Sequence, residues 1–216
     1  MIVYAESNFI LELAFLRGES GHCEALGQLA ESGDIQLVLP AFCGGEPYES
    51  MIRRSRSRKT LHDQLAAEIK ELSRSSPYSS IDETSRSLTA ILSQSASEEK
   101  GRLDATLLRL IRISRLIPLT GDVLEFSITF QGQFGLSPQD AIVLASVISD
   151  LQAQDTKGES LFVTLNKTDF LNPDIADFLL GHSCKLLFKF EDAVGYTRSI
   201  LRSTDGQPLS GPESSV

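Results

Sequence analysis

The sequence predicts an α/β fold, a three-layer α/β/α sandwich around a central parallel sheet, on three observations. Short runs of almost wholly apolar residues recur along the chain: Ile2–Ala5, Ile35–Leu39, Leu161–Thr164 and Lys185–Phe188, with a weaker one at Arg115–Leu119. Strands that do not alternate apolar with polar are buried on both faces, which is the condition of a parallel sheet covered by helices. Between the runs, apolar residues step by three and four, the helical period. Finally, 216 residues at 41% hydrophobic and 23% charged can bury one core, so a disulfide-stapled miniature, a collagen-like repeat and a disordered chain are excluded.

Each element has its own justification. Ile2–Ala5 passes directly into a helical pattern carried by Phe9, Ile10, Leu13 and Ala14, with Gly18 as its stop. Ala25, Leu26, Leu29 and Ala30 predict a second helix over His22–Glu31, with Gly33 supplying the left-handed cap. Ile35–Leu39 ends at Pro40. Leu61, Leu65, Ile69 and Leu72, then Leu103, Leu107, Leu110 and Ile111, predict two long helices joined by the Ser-rich Ser73–Ser87 stretch. A further amphipathic helix is expected over Ala141–Leu151. The reading is a single domain over 1–202 with residues 51–115 as a helical insertion. A Gly/Pro/Ser-rich tail, 203–216, is expected to be disordered.

Charge is uneven. The chain carries 20 Lys and Arg against 29 Asp and Glu, a net of −9, which taken whole disfavours a nucleic-acid partner. Met51–Pro118 alone holds 13 basic and 8 acidic residues, net +5, and the remainder is net −14. No signal peptide opens the chain and no apolar stretch approaches the ~18 residues of a membrane span, so no membrane partner and a cytoplasmic location are expected. Three widely spaced cysteines without a C-x-x-C give neither a disulfide framework nor a thiolate zinc site.

In open parallel sheets, function gathers at the carboxyl ends of the strands. Glu6 lies just past the first strand. Glu46 follows the second through Cys43-Gly-Gly45. Asp140 stands in Ser137-Pro-Gln-Asp140 before a helix, and Asp169 follows the strand that ends at Thr164. Four acids brought to one edge repel unless a cation neutralises them, and hard oxygen donors suit Mg²⁺ or Mn²⁺. Each also has an ordinary use. Asp140 fits a capping box with Ser137, Glu46 a first-turn interaction with the helix dipole, and Asp169 a cap. Glu6 has few structural uses directly after a buried strand, whereas Glu12 reads as a solvent-facing helix residue.

The stretches Val3-Tyr-Ala-Glu6-Ser-Asn8-Phe-Ile-Leu-Glu12, Pro40 to Glu46, Gly135-Leu-Ser-Pro-Gln-Asp140-Ala141 and Phe162-Val-Thr164-Leu-Asn166-Lys-Thr-Asp169-Phe170 together resemble the PIN domain family. The resemblance spans about 1–50 and 115–190, and the chain is similar to the larger members. It implies a Rossmann-like or flavodoxin-like sandwich and a metal-dependent ribonuclease, in some members the toxin of a toxin–antitoxin pair. Glu6, Glu46 and Asp140 then match the acidic ligands, Asp169 with Asn166 the last strand-end motif, and Asn8, Thr164 and Asn166 residues that orient ligands or water. Two positions depart: Glu6 stands where Asp is usual, and Asn166 where an acid is frequent. Both bear on the level of activity, and a catalytically weak RNA-binding or regulatory protein is the alternative.

Arg53, Arg54, Arg56, Arg58 and Lys59 place five positive charges in seven residues behind Glu46. They read either as a solvated helix face or as a track for RNA phosphates, and an acidic antitoxin is a second candidate occupant. A homodimer is compatible with the sequence. A phosphohydrolase on the same sheet would need a nucleophilic Asp or a Gly-rich phosphate loop after the first strand, and neither is present.

Overall fold

The computed structural model describes residues 1–78, 82–154 and 158–205, with side chains at 82–89, 93, 204 and 205 left aside. Five strands form one parallel sheet: β1 (Ile2–Ala5), β2 (Gln36–Pro40), β3 (Ser114–Ile117), β4 (Ser160–Val163) and β5 (Cys184–Leu187), in the order β3-β2-β1-β4-β5. Register is continuous across the centre, with Tyr4 opposite Val38 on one side and Phe162 on the other. Val3, Tyr4, Ala5, Leu37, Val38, Leu161, Phe162 and Val163 are fully buried, as the apolar runs require.

Helices cover both faces. One layer holds α1 (Ser7–Phe15), α2 (Ser20–Glu31) and α9 (Phe190–Asp205), joined by the edge-on rings of Phe9 and Phe190, 5.4 Å apart. The other holds α5 (Gly121–Phe134), α6 (Pro138–Ala153) and α8 (Pro173–Gly181). Phe178 of α8 packs against Phe130 and Phe134 of α5 there. A single turn, α7 (Lys167–Phe170), follows β4. Gly33 takes the left-handed conformation expected of it, φ +82°. The first helix stops earlier than Gly18: Leu16 itself adopts φ 50°, and its N–H closes on Glu12 and Leu13 carbonyls.

The basic segment is two long helices, α3 (Glu46–Leu72) and α4 (Asp82–Ile113). Tyr48 pairs with Asp104 and Arg58 with Ser95 and Glu99, so the two run antiparallel. At about 1.5 Å per residue they extend roughly 40 and 48 Å. Their inner ends join the helix layer of α1 and α2. Leu103 and Leu110 of α4 are core residues, and Arg109 clamps Glu24 and Glu31 of α2 at 2.5 and 2.7 Å. Residues 203–205 of the expected tail continue α9, and 206–216 lie outside the described residues. Of the Ser-rich stretch, Ser76–Tyr78 forms a short 3-10 turn and α4 has begun by Asp82. No helix among the described residues is long and apolar enough to cross a membrane.

Candidate functional site

The strand order reverses between β1 and β4, and there the connections leaving the two strands part to open a crevice at the carboxyl ends. Glu6 leaves β1 with extended backbone and serves as the N-cap of α1, its carboxylate accepting from the Asn8 N–H at 3.0 Å. That is a structural use the sequence did not disclose, because Ser, Thr, Asp and Asn are the usual caps and Glu carries one methylene too many. The extra reach brings Glu6 across the crevice to Thr164 of the β4 end, whose hydroxyl donates at 3.0 Å. Asn8 Nδ2 donates to the same oxygen at 2.5 Å. The Ser7 hydroxyl stands 2.9 Å from the other oxygen of Glu6 and is also hydrogen-bonded to Glu46.

Glu46 opens α3, and Glu49 and Arg53 follow it at one and two turns on the same cleft. Asp140 sits in the first turn of α6. Its backbone N–H donates to Ser137 Oγ at 3.2 Å, and the Ser137 hydroxyl donates back to its carboxylate at 2.5 Å. The capping reading is therefore sound, yet it uses only part of the group. Asn166 Nδ2 donates to the other oxygen at 3.0 Å, and the Asn166 N–H is held by Thr164 Oγ1 at 2.9 Å. Asp169, on α7, borders the same space. The result is an open cleft of about 1040 Å³ lined by Glu6, Glu46, Asp140, Asp169, Asn166 and Arg53, among others. All four predicted acids reach it. Ser7, buried between two carboxylates, and Glu49, a fifth acid on the cleft wall, are participants that sequence reasoning missed, since a lone serine beside an acid and an acid inside a helix carry no distinguishing pattern.

Electrostatically the cleft is crowded. Burial lifts Glu6 above the ordinary carboxylate value, and the hydrogen bonds from Asn8, Ser7 and Thr164 offset this only in part. Burial is also the main cause for Glu46, and the charges of Glu6, Asp140 and Glu49 push the same way. Asp140 is raised by burial and by the charge of Asp169. Among the described residues no Lys, Arg or His forms an ion pair with Glu6, Glu46 or Asp140. Mutually repelling carboxylates with no built-in cation fit a divalent ion by donor chemistry. As they stand, no three His, Cys, Asp or Glu side chains among the described residues converge on one ion position.

The basic patch divides. Arg54 lies over the Phe15 ring at 4.8 Å and 3.7 Å from Glu99, and Arg58 binds Glu99 at 2.6 Å. Burial alone would raise Glu99, but the Arg58 hydrogen bond and the charges of Arg54, Arg58 and Arg102 outweigh it and hold the group low. Two of the five expected phosphate-binding cations thus fasten α3 to α4. Arg53, Arg56 and Lys59 remain exposed, and of the five only Arg53 borders the acidic cleft. Glu12 is corrected as well. It is buried rather than solvent-facing, because α1 is packed on both flanks, and it accepts from the Glu19 N–H at 2.8 Å. The cysteines are free and buried. No protein-family model, no curated protein and no solved structure matches the chain.

Proposed function

We propose that this chain is a PIN-like, Mg²⁺- or Mn²⁺-dependent ribonuclease acting in the cytoplasm. One observation carries the reading. Acids from four elements far apart in sequence border one open cleft at the switch point of a parallel sheet; burial raises three of them, neighbouring acids push two of those further, and among the described residues no ion pair relieves the three. Glu46, Asp140 and Asp169 face the cleft with lone pairs to spare, and Glu6 completes the acidic set. A divalent ion bound there supplies a Lewis acid for the phosphoryl oxygen and lowers the pKa of a water. The protein's own share is positional. Ser7 fixes Glu46, Asn166 and Ser137 fix Asp140, and Arg53 at the mouth attracts the phosphodiester toward an otherwise anionic cleft.

The test is cleavage of single-stranded RNA by purified protein with and without Mn²⁺. Asp140→Asn is expected to lower the rate at least ~100-fold, since it weakens the site at its centre. Equal degradation by wild type and variant would place the activity elsewhere.

A second reading, a PIN-like RNA-binding or regulatory protein without hydrolysis, is favoured by the Asn166–Asp140 hydrogen bond. It puts an amide NH₂, which has no lone pair to offer a cation, against a carboxylate of the site. RNA retention without cleavage in Mn²⁺ distinguishes it. An acidic antitoxin on the exposed Arg56 and Lys59, or a homodimer, would appear as a stable complex in co-purification or ultracentrifugation.

A further inference from the structure

β3 is one edge of the sheet, and among the described residues no strand pairs with its outer side. Unpaired strand edges invite a second chain, so proteins blunt them with charge, proline or a covering element. The opposite edge, β5, carries such a guard: Lys185 is exposed and stands 4.4 Å over the Tyr196 ring. On β3 the one charged residue, Arg115, turns inward to the Asp150 carboxylate of α6 at 2.5 Å.

The side chains beside this edge are apolar. Ser114 bonds the Leu110 carbonyl of α4 and Arg115 faces α6, so by strand alternation Leu116 returns to the α4 side. There it is 41% exposed, and Leu108 and Ile111 on the adjoining stretch of α4 are 57% and 56% exposed. Those two α4 residues also border a recess of about 500 Å³, walled by Gly44, Tyr48, Asp104 and Leu107. Both oxygens of Asp104 are engaged within the chain, by Tyr48 at 2.7 Å and Lys100 at 2.6 Å. The patch therefore presents protruding aliphatic groups next to an apolar recess, a combination that a two-fold axis can make self-complementary.

Charge selects the occupant. Arg112 is exposed just before β3, and Asp122 and Glu125 are exposed just after it, at the start of α5. Among the described residues none of the three forms an ion pair. A two-fold axis normal to the sheet sets a second β3 antiparallel to the first. The entry of each strand then lies beside the exit of the other, which brings Arg112 of one copy toward Asp122 and Glu125 of the second. The same operation keeps both α4 helices on one face of the sheet, so their exposed leucines and isoleucines meet.

We propose that β3 and the C-terminal end of α4 form a homodimer interface: two copies pair their β3 strands antiparallel, beneath a seam of Leu108, Ile111 and Leu116 from each. The two five-stranded sheets become one continuous sheet. This assignment does not depend on the ribonuclease reading.

The test is sedimentation equilibrium of the full chain, with circular dichroism to confirm that each variant folds. The wild type is expected to be dimeric at micromolar concentration. A wild type that stays monomeric overturns the proposal and leaves the patch to a different protein. Leu108→Glu, on an exposed helix face, is expected to raise the dissociation constant at least ~30-fold, because it buries an unpaired charge. Leu116→Lys should do the same, and if it does not fold, Leu108→Glu and the charge variants decide. Leu180→Glu replaces a leucine that is 65% exposed on α8 and should leave the dimer unchanged. A dimer that survives Leu108→Glu, or that Leu180→Glu disrupts equally, overturns the assignment. Arg112→Glu should weaken the dimer about 10-fold through like-charge contact. Adding Asp122→Arg and Glu125→Arg to that variant should bring the dissociation constant back to within about threefold of wild type. A charge swap that fails to rescue overturns the antiparallel arrangement.

Discussion

Two carboxylates flank β1, a half-buried one and a buried one, and they have been treated oppositely. On one face, Asp150 of α6 receives Arg115 at 2.5 and 2.7 Å, the Tyr4 hydroxyl at 2.6 Å and Gln154 at 2.6 Å. Burial would raise it, but Arg115 and Tyr4 prevail and hold it below its ordinary value. At the carboxyl end, Glu6, Glu46 and Asp140 are hydrogen-bonded to neutral groups but form no ion pair among the described residues, and they stay raised. The same residue chemistry serves closure in one place and leaves an electrostatic deficit in the other. An acid that the fold itself neutralises is doing structural work; a group of acids that it leaves unneutralised is available for something from outside.

The largest expected effect breaks the structural half of this contrast. Asp150→Ala leaves Arg115, Tyr4 and Gln154 without their acceptor and should cost about 2–3 kcal/mol, read by urea unfolding. The figure sits at the low end for a buried pair because the Arg115 side chain is 36% exposed. Mn²⁺ should not restore the loss.

Next comes the cleft half. Mn²⁺ at about a hundredfold excess over its dissociation constant should raise wild-type stability by ~2.7 kcal/mol, or about 5–10 °C in Tm. An unshifted melting curve would remove the deficit argument.

The sign of the pH response should also separate the two groups. Glu6, Glu46 and Asp140 bind their protons more tightly folded than unfolded. Stability in the metal-free protein therefore falls as pH rises from near the ordinary value of 4.5 for Glu, or 3.8 for Asp, through their raised folded values. Asp150 and Glu99 are lowered, so their stabilisation is present above the unfolded value and is lost as pH falls through the folded one. Glu46→Gln should flatten the first limb and stabilise the metal-free protein at neutral pH by roughly 0.5–1 kcal/mol, measured by melting across pH 4 to 8.

The smallest effect divides the basic helix. Arg53→Ala should weaken RNA binding about threefold and lower the salt slope by about one. Arg58→Ala should lower stability while leaving that slope unchanged, since its charge is engaged by Glu99. Equal changes in slope would undo the division.

The sheet was legible because a strand buried on both faces is an unbroken apolar run, and all five expected runs fall within a residue or two of observed strands. The helices Gly121–Phe134 and Phe190–Asp205 were not, although both are regular. In the first, Leu124, Phe126 and Ile128 stay exposed while Val123, Phe130 and Phe134 are buried, so the apolar residues surround the helix instead of marking one stripe. The acids of the cleft were legible from their places after strands. What each does was not, because it depends on partners 39 and 158 residues away: Ser7 with Glu46, and Glu6 with Thr164. Arg54 and Arg58 were misjudged for the same reason, their anion standing on another helix.

The pairing of β1 with β4 has a consequence for the order of events during synthesis. Ile2 must wait for Ser160 before its strand gains that neighbour, and closing so long a loop is slow and comes late in folding. Glu6, Glu46 and Asp140 emerge from the ribosome well before Thr164, without which the first of them lacks its cross-strand donor. A nascent chain that stops short of Thr164 carries three of the four acids without the donors that Thr164 and Asn166 supply. The cleft is thus completed only once the chain has been made through Asp169.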